Sequence, residues 1–590
     1  MTATAQTAGV AAAAIQRRAD WSWLASVAAI VLVAWLVLVP LIFMVWQSVL
    51  SPQTAMTAAR FTLDNYRRAY ANADTARLFV NSLQFALGSA ALAFFFGTLL
   101  AWINERTDTP FKSLFFALAL VPLIIPGILF TVSWIFLGSP KIGIINLALR
   151  FAFHTDAVFI NIYSIPGMIW VDGLHYSPVA FLLMSSAFRS MDPSLEESAM
   201  MSGANVVQIA WRVTIRLAWP ATAAALIVLF VRALESFEVP TLLGLPVGIE
   251  VYTSAIYNAI HSYPSRIGLA SAYGLTLLVI TSVCIYLNAR IATRGSRFST
   301  VTGKGYRPRP FDLGGWRWLA GVIIVVNFCL VLLLPLLTLL WLSLLPFLVL
   351  LWSSLQRFYS VPSLAALKNL TLAAYRNVFT YPEIGTAIWN SVLLSLVSAT
   401  LIMLASSALC FIVVRTRLPG RWLIDNLASL PLVYPGLVLG LAIMACYLIL
   451  PIGVYGTLWI MLIAYVTRFL PYGMRYNSAA LLQVHKELEE SAAMSGASLA
   501  AVFRRIVLPL LKPGLIAGWI YIVIVSIREL ASSILLYSPG TEVVSVEIWE
   551  MWQNGQYVEL SALGVMMILV LLGFVALAQF LSRRFGIAQA

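Results

Sequence analysis

The sequence predicts an all-α, polytopic membrane protein of about twelve transmembrane helices in two parallel six-helix repeats. Three observations carry that expectation. Of 590 residues, 61% are apolar and only 10% are charged, where a soluble globular domain carries roughly 25% charged residues. Several apolar runs, Leu24 to Trp46 and the stretch around Gly564 to Phe580 among them, reach the roughly 20 residues that take a helix across a bilayer. The alternating ten-residue segments of a barrel are absent. Third, the second half of the chain repeats landmarks of the first at a constant displacement.

The repeat is positional. Asn81-Ser82 recurs as Asn390-Ser391, Arg106-Thr107 as Arg415-Thr416, and Pro122-Leu-Ile-Ile-Pro126-Gly127 as Pro431-Leu-Val-Tyr-Pro435-Gly436, all 309 residues on. Further along, a Glu-Glu-Ser-Ala motif and the pair Pro246/Pro539 recur 293 residues on, which leaves 16 extra residues in the first half, most simply around Gly138 to Ser164. An even number of crossings per repeat makes the halves parallel, related by an axis along the membrane normal, and a pathway is expected on that axis.

In chain order, membrane segments are expected at about 24–46, 79–102, 113–137, 166–188, 217–239 and 267–289. The first follows Arg17-Arg18 as a secretion signal would, but its length and the lack of a small-residue cleavage site make it a retained helix. Residues 1–289 form the first repeat. Residues 290–317, with Gly303, Gly305, Gly314, Gly315 and seven Lys or Arg, read as a basic cytoplasmic linker. The second repeat, 318–590, has segments at about 318–352, 387–413, 423–449, 455–481, 514–536 and 561–581. The seventh segment is long, and Pro335 and Pro346 let it kink or re-enter.

The net charge of +13 does not point to nucleic acid, because the basic residues sit in short clusters beside apolar runs, such as Arg17-Arg18, Arg415 to Arg421 and Arg583-Arg584. That is the pattern of positive charge retained on the cytoplasmic side of a membrane. With both termini in the cytoplasm, twelve crossings place most of the 37 Lys and Arg on that side. Cys284, Cys329, Cys410 and Cys446 lie in apolar segments, spaced neither for a metal nor for disulfides, and read as small core residues.

Two polar islands interrupt the apolar runs: Glu196-Glu-Ser-Ala-Met-Met-Ser-Gly203-Ala, and Glu489-Glu-Ser-Ala-Ala-Met-Ser-Gly496-Ala. They belong to stretches at about 189–216 and 483–512, both on the cytoplasmic side, after segments four and ten. Ala, Ser, Met and Glu suit a short helix, and the Gly six residues after the second Glu supplies a turn of positive φ. Met200, Met201 and Met494 offer adaptable apolar contact, and Arg212, Arg504 and Arg505 can sit among anionic lipid headgroups. One such copy reads equally as an interfacial amphipathic loop. Two copies at matching places favour a docking element for a soluble partner.

These stretches resemble the EAA loop of the membrane subunits of ATP-binding-cassette importers: Glu-Ala-Ala, three residues, Gly, nine residues, Ile-x-Leu-Pro. Glu490-Ser491-Ala492, Gly496 and Ile506-Val-Leu-Pro509 match with Ser in place of one Ala. Glu197-Ser198-Ala199 and Gly203 match in the first half, where Val213-Thr-Ile-Arg216 lacks the closing proline. The resemblance spans the chain, since fused members of that family carry two six-helix halves with one loop each. Among them the chain looks most like the permeases of ferric-iron importers of the Fbp/Sfu/Hit type.

The resemblance implies a type I importer fold in a bacterial inner membrane, with the two loops as coupling helices on two cytoplasmic ATPase subunits and a periplasmic binding protein delivering ferric iron. Permeases for phosphonate, thiamine, polyamine or sulfate share the design. ATP is expected on the partner ATPase, and no cofactor or metal on this chain: no G-x-x-x-x-G-K-[ST] loop occurs, Gly303-Lys304 being followed by Gly305. Neither a metal-protease helix nor a nucleophile elbow is present, so the chain reads as a transport subunit and not an enzyme. An ion-coupled secondary transporter would explain the repeat but leave the loops idle, and a scaffold would explain only the hydrophobicity.

Two further expectations concern the membrane interior and the outer face. Pro122, Pro126, Pro431 and Pro435 remove helix hydrogen bonds at equivalent mid-membrane places, either to bend the helices around the pathway or simply to help them pack. Arg232, Glu235, Glu238, Arg528 and Glu529 are ionisable groups at depth, which usually face a bundle interior or water. At the 293-residue displacement Glu235 aligns with Arg528, so the two are expected to line the pathway and pair across it when it is closed, parting as the halves separate. The alternative is a local Arg232–Glu235 pair at i,i+3. The outer loops at about 241–265 and 538–559, the second with Glu542, Glu547, Glu550 and Glu559, are expected to receive the binding protein.

Overall fold

The computed structural model describes residues 2–295 and 373–584 together with Ser354, except for 53–57, 72, 107–115, 117–118, 120–122, 124, 192–193, 205–207, 209–211, 214 and 417. Pro122, the expected seventh segment at 318–352 and all of the linker beyond Gly295 lie outside the described residues. Among the described residues the regular elements are helical, and a single β-bridge, Leu50 to Phe61, stands alone.

The first half carries α1 (Thr2–Ser48), α2 (Ala73–Arg106), α3 (Gly127–Gly138), α4 (Ile165–Ser190), α5 (Ser194–Met201), α6 (Trp219–Leu234), α7 (Tyr252–His261) and α8 (Ile267–Gly295). The second carries α9 (Pro382–Arg415), α10 (Gly436–Ile449), α11 (Leu458–Gln483), α12 (Lys486–Met494), α13 (Lys512–Ile527), α14 (Val544–Gln553) and α15 (Tyr557–Arg584). Equivalent helices match in length. Both α2 and α9 have 34 residues, α4 and α11 have 26, α6 and α13 have 16, and α7 and α14 have 10.

The tertiary contacts repeat as well, which shows why the Asn-Ser landmarks recur. Asn81 donates to the Glu250 carbonyl (3.2 Å) and Asn390 to that of Glu542 (3.0 Å). Ser82 Oγ accepts from the Tyr252 amide (3.0 Å), and Ser391 Oγ from the Val544 amide (2.8 Å). Each pair binds a membrane helix to the first turn of the short helix α7 or α14, where backbone N–H groups have no intrahelical partner. Thr253 and Ser545 then donate to the Ser236 and Glu529 carbonyls, at 2.7 and 2.6 Å. Small residues bring the helices together: a Cβ on Gly97 would run into Ala180 and the Ser177 carbonyl of α4, and one on Gly473 would lie 2.6 Å from Ser406 Oγ of α9.

The protein is an all-α polytopic membrane protein, but the count of twelve crossings is not reached among the described residues. Five helices are long and apolar enough to span, within Ser26–Ser48, Asp74–Trp102, Ile267–Ile291, Pro382–Arg415 and Tyr557–Leu577, and two bent pairs raise the number to seven. The helices α4 and α11 are long enough to cross, at about 39 Å by the helical rise, but they carry much of the buried polar chemistry.

Three expected segments prove broken. The stretch 423–449 turns by 110° between Arg421–Val433 and α10, because Pro435 cannot donate into a continuing helix and sits extended as the N-cap of α10. Segment 217–239 stops at Leu234 and segment 514–536 at Ile527, equivalent places. After Leu234 the chain leaves the helix over residues 235–237, and helical turns resume at Glu238 and Val239 and continue as a wide turn over Pro240–Gly244. After Ile527, Glu529 Oε1 accepts from the Ser532 amide (3.0 Å) and hydroxyl (2.9 Å), competing with the helical ladder.

The halves interlock. Beside its own half's α8, α1 packs on α10 and on helix Arg421–Ser429, with Trp35 donating to Tyr447 (3.3 Å) and Ser26 to the Pro419 carbonyl (3.2 Å). Buried Phe237 of the first half lies against buried Trp549 of the second, ring centres 5.3 Å apart.

Candidate functional site

The two Glu-Ser-Ala motifs form the short helices α5 and α12, and each closes in the same way. Gly203 has φ +83° and Gly496 φ +83°, the left-handed region that glycine enters freely. The Ala204 amide donates to the Ala199 carbonyl (3.1 Å) and the Gly203 amide to that of Met200 (2.9 Å), a Schellman closure, and Ala497 to Ala492 (3.1 Å) repeats its longer bond. Ser198 and Ser491 carbonyls accept from Ser202 and Ser495 (3.1 Å each). Among the described residues no side chain is met within 4 Å of a Cβ built on either glycine. The turns are therefore selected by backbone conformation, not crowding.

What the helices present is apolar and exposed: Met201 is 82% and Met494 89% exposed, beside half-exposed Met200 and Leu488. Glu490 is exposed, and Pro509 is exposed on the turn Leu508–Leu510 that leaves the second loop. Glu197 falls on α5, but its side chain lies outside the described atoms. Glu489, not singled out in the sequence, pairs with Arg415 at 3.0 Å.

The intramembrane charges gather at the helix breaks. Arg232 Nη2 donates to the Tyr472 hydroxyl of the other half (2.9 Å), and its Nη1 lies 3.8 Å from Glu235. Arg468 Nη1 donates to Glu529 Oε1 at 2.7 Å. Arg528 Nη1 donates to the Leu123 carbonyl, again across the halves. No ion pair joins Glu235 to Arg528 among the described residues. In this structure the local Arg232–Glu235 contact is present and the cross-axis pair is not. Both residues stand at the broken ends of α6 and α13, and the breaks give their side chains other neighbours than the sequence alignment supplies.

Pro126 and Pro435 both precede a helix N-terminus, and the next residues, Gly127 and Gly436, mark what lies there. A Cβ on Gly127 would lie 3.3 Å from the Glu238 carboxyl carbon, and one on Gly436 would overlap the Arg468 guanidinium. An anion at the positive end of α3 is favourable. A cation at the same end of α10 is not, and Glu529 offsets it. Pro431 lies in the turn Leu430–Val433 before the break.

Arg468, Tyr472, Asp172 and His175 were not identified from the sequence. Asp172 is 1% exposed with Oδ2 unpartnered among the described residues, and His175 Nδ1 is likewise unpartnered. The signal was present: His175 and Arg468 are 293 residues apart, as are Pro178 and Pro471 beside them. The helix α14 carries Glu547, whose carboxyl is pushed up to about 7 by burial, with Glu550, Glu383 and Glu542 adding negative charge around it. Among the described residues no cluster of three or more His, Cys, Asp or Glu is arranged to hold a metal ion.

A family profile described as "Binding-protein-dependent transport system inner membrane component" matches residues 77–297 and 415–586. The chain is 27% identical over 421 residues to the ferric transport system permease protein FbpB of Actinobacillus pleuropneumoniae, covering 70% of this chain and 58% of that one. It is 23% identical over 475 residues to the Fe(3+)-transport system permease protein FbpB 2 of Haemophilus influenzae, covering 80% and 83%. A stretch of 210 residues, 36% of the chain, is 25% identical to 81% of the spermidine/putrescine transport system permease protein PotC of Haemophilus influenzae. The chain thus spans little more than half the length of the first of these relatives.

Proposed function

Since the chain belongs to the binding-protein-dependent transport system inner membrane components, we propose that it is the membrane-spanning permease of an ATP-driven importer and carries ferric iron inward. Two cytoplasmic ATPase subunits seat on α5 and α12, a periplasmic binding protein docks on the outer face near α7 and α14, and ATP is bound and hydrolysed on the partners. Both termini lie in the cytoplasm of a bacterial cell whose inner membrane holds the chain.

The observation that carries the reading is the pair of short helices closed by the same long backbone bond, each exposing methionine at its tip and followed by a glycine with φ +83°. Exposed methionines on a short, rigidly closed helix suit insertion into an apolar cleft. Ferric iron is favoured by the permeases named above, whose similarity extends across both halves. A polyamine is the second reading, supported by the similarity to PotC over 210 residues, 36% of the chain.

The test is reconstitution of the chain in proteoliposomes with an ATPase and a binding protein from its own source. ATP-dependent uptake of radiolabelled ferric iron delivered by the binding protein is expected, with no uptake when ATP is replaced by a proton gradient. Uptake of spermidine in place of iron would move the substrate to the second reading. Uptake driven by the proton gradient alone would reject the importer.

A further inference from the structure

In the sequence, Arg415 stands out as half of the repeated Arg-Thr pair and as the start of a basic cluster. In the fold it ends α9 with its side chain 5% exposed, and it touches two other elements. Its Nε lies 3.0 Å from Glu489 Oε1 on α12. Its Nη2 donates to the Leu481 carbonyl (2.8 Å) and the Val484 carbonyl (2.5 Å), at the end of α11. The Leu481 carbonyl also takes the Val484 amide (3.2 Å), and Val484 itself lies just past the helix; a planar guanidinium can reach both carbonyls and lie beside a carboxylate at once. One turn earlier on the same face of α9, Phe411 packs on Phe503, ring centres 5.2 Å apart, in the segment that leaves the loop. One face of α9 therefore holds both arms of the second Glu-Ser-Ala loop.

The end of α2 carries an ion pair of its own. There Glu105 accepts from Arg189 at 2.9 and 3.0 Å, which joins α2 to α4, two membrane helices.

We propose that Arg415 is the positioning residue through which a displacement of α12 reaches α9 and α11, acting through Glu489. This rests on the reading that α12 seats an ATPase subunit. Moving α12 away while α9 stays would leave a buried guanidinium and carboxylate unpaired, which costs far more than moving the helices together. The glycine turn at Gly496, with open space around it, gives the loop no comparable hold on the bundle.

The experiment uses the full chain, its ATPase subunits and its binding protein in proteoliposomes, and measures solute moved per ATP hydrolysed. Radiolabelled ferric iron is the probe, or spermidine if the unaltered chain prefers it. In Arg415→Gln the ATPase subunits should still co-purify and ATP hydrolysis persist, while solute per ATP falls about tenfold, a common size for coupling between sites. Arg415→Lys, which keeps the charge opposite Glu489, should recover part of the loss. A purely structural role predicts lower yield but unchanged solute per ATP in the protein that folds, and that result overturns the proposal. So does loss of ATPase co-purification, which would make Arg415 a docking determinant. Should Arg415→Gln not accumulate in membranes, Glu489→Gln carries the same test from the loop side. If the unaltered chain neither binds the ATPase nor transports with ATP, the functional reading itself fails, and that is seen before any variant is made.

Discussion

Arg468 on α11 and Glu529 beyond the end of α13 form a 2.7 Å ion pair inside the second half, and the Glu529 oxygen that accepts it also receives the amide and hydroxyl of Ser532. One carboxylate thus neutralises a mostly covered arginine and restarts the chain after a helix break. Removing one partner of such a pair strands the other charge, at a cost of about 3–5 kcal/mol, while replacing both by apolar groups is often nearly neutral. Glu529→Gln should therefore lower thermal stability in detergent sharply, and Arg468→Met combined with Glu529→Gln should recover most of it. A double variant as unstable as the sum of its parts would reject the pairing.

Gly436 should be the less tolerant of the two equivalent glycines. Alanine at Gly127 brings a methyl group to 3.3 Å from a carboxyl that can shift, whereas alanine at Gly436 displaces the Arg468 guanidinium from its place beside α10. Transport and detergent stability of the two single variants decide it, with Gly436→Ala expected to lose at least as much as Glu529→Gln.

The glycine turns give a cleaner contrast. Valine at Gly203 and Gly496 forces a β-branched residue to φ +83°, at about 1–2 kcal/mol each, and should abolish ATP-coupled transport in the double variant. Asparagine, which enters this region more readily and meets no neighbour there, should preserve most of it. Normal transport in Gly203→Val, Gly496→Val protein would remove the loops from the mechanism.

Exchanging Glu235 and Arg528 should bring no mutual rescue, because Arg528 donates to the Leu123 carbonyl and Glu235 sits near Arg232. The Arg232–Glu235 separation of 3.8 Å suggests a coupling of at most about 1 kcal/mol in a double-mutant cycle. Partial recovery of transport in Glu235→Arg, Arg528→Glu protein would show that the halves bring the two together in another state.

Glu547 should make stability fall with rising pH. Its folded carboxyl titrates near 7, above the 4.5 of a free glutamate, so between these values the folded chain holds a proton that the unfolded chain has released. By linkage the stability it contributes is present below about pH 4.5 and is lost as pH rises through 7. Glu547→Gln should flatten that dependence and raise the melting temperature at pH 8. An unchanged slope between pH 5 and 8 would place the titration elsewhere.

Much of this molecule is local and could be read from the chain. Apolar run length alone sets helix and membrane. A glycine six residues after a glutamate sets the turn that ends α5 and α12, and constant displacement exposes the repeat, down to the Asn-Ser pairs whose hydrogen bonds recur. What the sequence misjudged lies at the breaks. Leu234 and Ile527 end their helices before the charged residues that follow, and Pro435 splits one expected span into two pieces at 110°.

The sequence by itself determined the class, the repeat and the two loops, because each depends on residues close together or on a fixed spacing between copies. Only the tertiary structure decided which charges meet. Once a helix breaks, its next side chain no longer points where periodicity puts it, and a buried guanidinium takes whichever carboxylate or carbonyl the packing of distant helices brings within reach. For Arg468 that partner is Glu529, 61 residues away, for Arg528 the Leu123 carbonyl, 405 away, and for Arg415 the corner between α11 and α12.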